Sequence, residues 1–154
     1  MFQLEALLTT DLTLCRAPGV SKKRLFETLA EFIAAQRPQL DDGEIYNALL
    51  AREKLGSTAL GSGIAIPHCR LSHCDDAVVA LATLDAGIDF DAPDQQPVDV
   101  IFVLLVPEEA QQEHLNILAG LAGLLNEESF RAALRAADSD SALHSAATTF
   151  QLAG

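Results

Sequence analysis

Residues 98–106 read VDVIFVLLV, and this apolar run is the strongest strand prediction in the chain. The run is almost uninterrupted and rich in β-branched side chains, which is typical of a strand buried on both faces. We therefore place it at the centre of a sheet that helices cover. The predicted class is a single α/β domain over residues 1–154, with a mixed and mostly buried sheet flanked by helices.

The segments around this strand predict the remaining elements. Further strands are expected at residues 12–15, 64–66 and 77–84, with a turn at Gly87 and an edge segment at 88–90. Helices are expected at 21–36 after an N-cap at Ser21, from Asp41 or Asp42 to about 54, at 107–126, at 127–137 and at 142–150. In the helix after the central strand, five leucines are expected to face inward: Leu115, Leu118, Leu121, Leu124 and Leu125.

Composition limits the functions to consider. The chain has 154 residues and 49% apolar side chains, enough for one domain with a real core. It has no apolar run of about 18 residues and no signal-peptide pattern, so we expect a cytoplasmic protein without membrane insertion. A net charge of −12 argues against nucleic-acid binding and favours a partner with a basic surface.

The stretch that indicates chemistry is residues 52–68, REKLGSTALGSGIAIPH. A glycine- and hydroxyl-rich loop over 55–63 leads into a short β-branched segment, then Pro67 stiffens the backbone before His68. Imidazole is a good nucleophile near neutral pH because its ordinary pKa is about 6.5. Small residues ahead of it leave room and backbone N–H groups for an anion. We predict that His68 carries a phosphoryl group.

Three other glycine-loop functions do not fit this stretch. Gly56 and Gly61 have the first spacing of a nucleotide P-loop, but Ser62 and Gly63 follow where Lys and Ser/Thr belong. The glycines also miss the third position of a dinucleotide-binding loop, and Ser62 lacks the flanking spacing of a nucleophile elbow. The loop alone therefore predicts no ATP site, no dinucleotide site and no serine nucleophile.

Four further residues complete the predicted site. Arg52, at a helix C-terminus, offers a permanent charge and a bidentate fork, and the hydroxyls of Ser57 and Thr58 are candidate phosphate donors. His114 follows the central strand, near its carboxyl end, where open α/β sheets gather their sites. A protein-to-protein phosphoryl carrier should need no Mg²⁺ or ATP of its own, so we expect no cofactor.

Each of these residues also has a purely structural interpretation. His68 could be a histidine hydrogen-bonded in a loop, and His114 an exposed helix residue. Arg52 could form an ion pair with Glu53, itself expected to face solvent. The remaining histidines, His73 and His144, are expected at the surface.

A metal site is the alternative to a phosphoryl carrier, and it would make the protein a zinc-binding module. His68-Cys69 and His73-Cys74 repeat at a spacing of five and could offer four nitrogen and sulfur ligands to Zn²⁺ in an interaction module. The usual C-x₂₋₄-C spacing is absent, which makes this match weak. An odd cysteine count without an export signal also argues against a disulfide framework.

The run from Arg52 to Thr58, followed by G-x-G-I-A-I-P-H at 61–68, closely resembles the IIA type-2 domains (fructose/mannitol family) of the bacterial phosphoenolpyruvate-dependent phosphotransferase system. The PtsN-like nitrogen-regulatory branch is the closer match. Other matching stretches are SKKR at 21–24, FDA at 90–92, QPVD at 96–99, LLVP at 104–107 and HL at 114–115, so the similarity covers essentially the whole chain.

The resemblance implies a mixed sheet flanked by helices, with His68 phosphorylated by an HPr-like protein in a phosphoenolpyruvate-dependent relay. His114 would help to position the phosphoryl group, and Arg52 and Thr58 would line the pocket. The phosphorylation state would then regulate partners such as sensor kinases or potassium-transport proteins. A sugar-specific fructose or mannitol IIA component is the alternative within the family, and a binding module without phosphotransfer is a third possibility.

Two departures from the family pattern stand near His68. Cys69 replaces a frequent glycine and could add bulk or redox sensitivity. Ala59-Leu60 replaces a stretch that often carries another glycine, which predicts a less flexible loop.

Overall fold

The computed structural model describes residues 2–150 and has one mixed sheet between helices, as the apolar strands predicted. The strands are β1 (Leu8–Ala17), β2 (Ala59–Gly61), β3 (Ile64–Ala65), β4 (His68–Leu71), β5 (Val78–Ile88) and β6 (Val98–Pro107). The helices are α1 (Lys22–Gln36), α2 (Asp42–Lys54), α3 (Gln112–Leu125), α4 (Glu128–Ala136) and α5 (Asp140–Thr148), after a 3₁₀ turn at Leu4–Ala6.

Strand β6 is central, which confirms the strongest strand prediction. The order along the sheet is β1-β5-β6-β3-β2, and β4 also pairs with β6. β5 runs antiparallel to β6, whereas β3 and β4 run parallel to it. Both faces of β6 are buried, and alternate side chains enter two separate apolar clusters.

Each face of the sheet has its own helices. Ile101 and Val103 point into the cluster formed with α1 and α2, while Val100, Phe102 and Leu104 point into the cluster formed with α3, α4 and α5. The uninterrupted apolar sequence of β6 follows from this arrangement, because neither face of the strand meets water.

The local signals for the first two helices are confirmed. The Ser21 hydroxyl accepts the N–H of Arg24 at 3.1 Å, and the Asp41 carboxylate accepts the N–H of Glu44 at 2.9 Å. Each side chain satisfies an N–H group that has no partner inside the helix, so both helices begin where the capping residues predicted.

Four details differ from the sequence predictions. Strand β4 was not predicted, and β2 lies within residues 55–63, which were expected to be loop throughout. Gly87 does not turn the chain, because β5 continues to Ile88, which pairs with Val98 across an irregularity in register. Helix α3 begins at Gln112 instead of Pro107, which ends β6.

The inward face of α3 is largely confirmed: Leu121 and Leu125 are buried, and Leu118 and Leu124 pack against the same apolar cluster. Only the prediction for Leu115 is wrong, since this side chain is 60% exposed, and Ile117 is buried instead. No helix within residues 2–150 is long and apolar enough to cross a membrane.

Candidate functional site

His68 is positioned by a break between two short strands, β3 and β4. β3 pairs with β6 through Ala65 and Ile101, and β4 pairs with it again from His68 and Leu104 onward. Pro67, between them, has no N–H to donate, but its carbonyl accepts the N–H of Leu104 at 3.0 Å. The histidine is therefore the first residue of β4, on a backbone fixed by the central strand, with its side chain half-buried.

The tautomer of His68 follows from one hydrogen bond. Nδ1 lies 2.7 Å from the carbonyl oxygen of Ile66. A carbonyl oxygen can only accept, so Nδ1 must carry the hydrogen, and the lone pair of the neutral ring is on Nε2. The ring is thus oriented with Nε2 as its nucleophilic atom.

His68 is also held in its neutral form. Burial lowers its pKa, and the positive charge of Arg52 lowers it further. The hydrogen bond to Ile66 and the negative charge of Glu53 oppose this shift. The net direction is downward from 6.5, so the imidazole has an available lone pair at neutral pH.

His114 lies beside His68, although their positions are far apart in sequence. The ring centroids are 5.4 Å apart and the rings are inclined at 73°. Within residues 2–150, Nε2 of His114 is buried and has no hydrogen-bond partner. Burial lowers the pKa of His114, as do the neighbouring His68 and Arg70. A second imidazole, with its pKa lowered and its Nε2 unpartnered in the described part of the chain, therefore lies next to His68.

Arg52 lies in the last turn of α2, as predicted, and near enough to His68 to affect its pKa. Its Nη1 donates to the carbonyl of Gly56 at 3.0 Å, which ties the guanidinium to the glycine loop. This contact uses one of the five N–H donors of the guanidinium, so the group keeps further hydrogen-bonding capacity for an anion.

The two predicted hydroxyl donors are engaged within the protein. Ser57 Oγ donates to the carbonyl of Phe90 at 2.5 Å, and Thr58 Oγ1 donates to the carboxylate of Glu53 at 2.8 Å. Thr58 is only 5% exposed. A phosphoryl oxygen would have to compete with these acceptors, so direct phosphate contact by Ser57 and Thr58 stays a prediction.

Glu53 does not face solvent as expected. It is buried, accepts both the backbone N–H and the hydroxyl of Thr58, and pairs with Lys22 Nζ at 3.2 Å. The alternative in which Arg52 forms an ion pair with Glu53 is not what the structure shows, since the ion pair of Glu53 is with Lys22. Its partner is 31 residues away in sequence, which local pattern could not indicate.

Arg70 belongs to the site although the sequence analysis did not name it. It follows His68 at alternate spacing on β4, and Nη1 lies 3.4 Å from the carbonyl of Glu108, in the segment before α3. Its charge contributes to the lowered pKa of His114. The period of a strand could have identified Arg70, had β4 been predicted.

The remaining histidines and cysteines lie outside this constellation. His73 is exposed, but His144 is half-buried and its Nε2 hydrogen-bonds the carbonyl of Leu8 at 2.9 Å, so its expected surface position is wrong. Cys69 and Cys74 are free and buried, and burial raises their pKa values to about 12 and about 11. Such thiols carry little thiolate, which argues against redox sensitivity at Cys69.

The zinc alternative is not supported. Among the described residues, no group of three or more His, Cys, Asp or Glu side chains is arranged to hold a metal ion. His68 and Cys69 are adjacent on β4, so their side chains leave the strand on opposite faces. Cys69 enters the cluster under α1 and α2, away from the imidazole pair.

Comparisons with known proteins find similarity along nearly the whole chain. The family model described as "Phosphoenolpyruvate-dependent sugar phosphotransferase system, EIIA 2" matches residues 6–147. A nitrogen regulatory protein of Pseudomonas aeruginosa is 49% identical over 144 residues, covering 94% of this chain and 94% of its own length.

Solved structures share the architecture. Nitrogen regulatory protein IIA-Ntr from Neisseria meningitidis has a TM-score of 0.85 and 39% identity, covering 94% of this chain and 99% of its own. The mannitol IIA protein of Escherichia coli has a TM-score of 0.74 and 20% identity, covering 91% and 98%, and shows the same fold. The α/β class and the flanked sheet are thus confirmed.

Proposed function

The chain belongs to the EIIA type-2 family of the phosphoenolpyruvate-dependent phosphotransferase system, and we propose that Nε2 of His68 is the atom that carries its phosphoryl group. The protein is a regulatory phosphocarrier of that system. One observation carries the proposal. The single N–H of the neutral His68 ring is donated to the carbonyl of Ile66, which leaves the Nε2 lone pair free. The neighbouring Nε2 of His114 has no hydrogen-bond partner among residues 2–150.

The transfer proceeds as an in-line exchange between two imidazoles. Nε2 of His68 attacks the phosphorus of a phosphohistidine on the donor, forming one N–P bond as the donor's N–P bond breaks. The donor's nitrogen keeps the electron pair of the broken bond. His68 keeps its Nδ1 proton, so its ring becomes cationic, and the hydrogen bond to the Ile66 carbonyl strengthens with that charge.

The surrounding groups stabilise the transferred oxygens. In this proposal, His114 donates an Nε2–H to one phosphoryl oxygen, which gives its buried nitrogen a partner. Arg52 supplies positive charge from α2, and Ser57 and Thr58 act at the loop that Arg52 contacts through Gly56. The residues need no metal ion for this transfer, because two imidazoles and a guanidinium face the phosphoryl group.

Proteins of this family interact with phosphocarrier partners, such as HPr or IIB proteins. We propose an HPr-like donor for this chain, a cytoplasmic location, and regulatory targets such as sensor kinases or potassium-transport proteins. The alternative of a sugar-specific component has weaker support. A fructose-specific EIIA component of Haloferax volcanii is 34% identical over 137 residues, whereas the nitrogen regulatory protein of Pseudomonas aeruginosa is 49% identical over 144 residues.

The experiment is reconstitution of the relay. The purified chain is incubated with phosphoenolpyruvate, an Enzyme I-type protein and an HPr-like protein, and its intact mass is measured. We expect a gain of one phosphoryl group that is lost in acid, as a phosphoramidate is. A chain that stays unmodified while the HPr-like donor is phosphorylated would contradict the proposal.

A further inference from the structure

A line of hydrogen bonds behind His68 connects its ring to a buried carboxylate. Glu53, whose side chain is 4% exposed, accepts the N–H of Thr58 at 3.0 Å and its hydroxyl at 2.8 Å. The carbonyl of Thr58 accepts the N–H of Ile66 at 3.1 Å. The carbonyl of Ile66 then accepts Nδ1–H of His68 at 2.7 Å. Each link fixes the orientation of the next.

We propose that Glu53 is a positioning residue for His68: by holding Thr58, it keeps the Ile66 carbonyl where that oxygen receives the Nδ1 proton and leaves Nε2 free. Its importance for phosphoryl transfer rests on the proposed function. Its control of the ring's orientation stands on the hydrogen bonds themselves.

The burial of Glu53 supports a role beyond stability. Its charge is balanced by Lys22, whose Nζ lies 3.2 Å from Oε1, 3.1 Å from the carbonyl of Phe90 and 4.7 Å from the centre of the Phe90 ring. Removing two charges from water costs free energy comparable to their mutual attraction, so an apolar pair would stabilise the fold about as well. A carboxylate does what an apolar side chain cannot, since it accepts two hydrogen bonds from Thr58.

The backbone before His68 is held by two hydrogen bonds, one to the glycine-rich loop and one to β6, and only the first depends on Glu53. Ile66 is held by Thr58 on one side, and the adjoining Pro67 carbonyl is held by the N–H of Leu104 in β6 on the other. Loss of the Glu53 charge releases only the first of these. The fold should therefore survive a substitution that loosens His68.

The test compares Glu53→Gln with Glu27→Gln. Both replace a carboxylate by an amide of the same shape, but Glu27 is in an exposed pair with Arg24 on α1. The tautomer and the pKa of His68 are measured by ¹⁵N NMR over a range of pH, and the rate of phosphorylation is measured in the reconstituted relay.

In Glu53→Gln we expect a smaller population of the Nδ1–H tautomer and phosphorylation slowed on the order of tenfold, as for other partners that orient a reacting histidine. The pKa of His68 should fall further, because both the Glu53 charge and the Ile66 hydrogen bond raise it. The acid limb of the rate profile then moves to lower pH. The other charged or titratable groups around the two imidazoles are unchanged: Arg52 beside His68, and Arg70 beside His114.

Thr58→Val is the milder second variant, because it removes the hydroxyl but keeps the backbone N–H and carbonyl. It should produce the same changes to a smaller degree, and Thr58→Ser should restore wild-type behaviour. If Glu53→Gln fails to fold, the two Thr58 variants decide the question.

A His68 tautomer population and pKa that match the Glu27→Gln control in both Glu53→Gln and Thr58→Val would overturn the positioning role. The NMR result also separates the two proposals. A wild-type chain that accepts no phosphoryl group, with the NMR changes still present in Glu53→Gln, would refute the proposed function and support positioning by Glu53.

Discussion

The two walls of the His68 site differ in how fully their polar groups are satisfied. On the α2 side, Glu53 and Thr58 are buried and hydrogen-bonded to each other. On the α3 side, Nε2 of His114 is buried without a partner in the part of the chain described, and the next residue, Leu115, is 60% exposed. The α2 side is linked by hydrogen bonds through Thr58 and Ile66 to Nδ1 of His68, whereas the α3 side keeps a ring nitrogen available for a ligand. A buried polar group without a partner costs free energy, which an arriving anion recovers.

The largest effect is expected from His68→Ala, which removes the nucleophile that both walls surround. Phosphorylation should be abolished, because the hydrogen bond from Nδ1 to Ile66 makes Nε2 of His68 the proposed acceptor of the phosphoryl group. The fold should remain, since the side chain is half-buried and outside both apolar clusters. Intact mass after incubation with the relay measures the first effect and circular dichroism the second.

The exposed His73→Ala serves as the control for this variant and should be phosphorylated like the wild type. Labelling of His68→Ala at the wild-type level would refute the assignment of the phosphorylated residue.

The next largest effect is expected from His114→Ala, which removes the imidazole on the α3 side of the site. Transfer should slow about 100-fold, the usual cost of losing one donor to developing oxygen charge. The free energy of unfolding should change by less than about 1 kcal/mol, because removing an unpartnered polar atom offsets part of the lost packing. Rapid-quench kinetics and urea denaturation measure the two quantities.

Asn116→Ala, on the exposed face of α3, is the matched control and should leave both quantities unchanged. If His114→Ala lost several kcal/mol of stability at an unchanged rate, the histidine would be structural and this wall would have no part in transfer.

Arg52→Gln removes the positive charge on the α2 side of the site. The pKa of His68 should rise, because the Arg52 charge lowers it in the wild type. Loss of a charge-assisted hydrogen bond to the phosphoryl group should slow transfer about tenfold. NMR titration of His68 and the transfer rate measure these effects.

Arg52→Lys keeps the charge but not the fork, so it should keep the lowered pKa while still slowing transfer. A pKa of His68 that does not move in Arg52→Gln would show that the guanidinium exerts no field at the ring.

The smallest effect concerns stability against pH. Both site histidines have folded-state pKa values below the ordinary 6.5, so the unfolded chain binds more protons than the folded chain between those values. Stability should therefore be constant above about pH 7 and fall as pH drops below 6.5, down to the folded pKa values. Urea unfolding midpoints of the wild type and of His68→Ala/His114→Ala measure this difference. A double variant with the same slope as the wild type would contradict it.

The sequence predicted the elements whose signals are local. Continuous burial of β6 gives an uninterrupted apolar run, and Ser21 and Asp41 fix the starts of their helices through hydrogen bonds to residues three positions ahead. The strand β4 was missed, since it is four residues long and carries His68 and Arg70 between its apolar positions. Its strand conformation comes from pairing with β6, a distant segment.

The site was predictable to a similar extent. His68 was proposed from the glycine loop and Pro67, and the fold does bring His114 and Arg52 near it. The burial of Glu53 was not predicted, since glutamate is normally exposed and its partner Lys22 lies on another helix. The commitment of Ser57 to the carbonyl of Phe90 likewise depends on a tertiary contact.

The position of the phosphoryl group on the His68 ring tests most directly whether Nε2 is the atom that accepts it. ¹⁵N and ³¹P NMR of the freshly phosphorylated protein distinguish the two ring nitrogens. We predict a bond from phosphorus to Nε2 of His68, with Nδ1–H still hydrogen-bonded to the carbonyl of Ile66. A phosphoryl group on Nδ1, or on another residue, would contradict it.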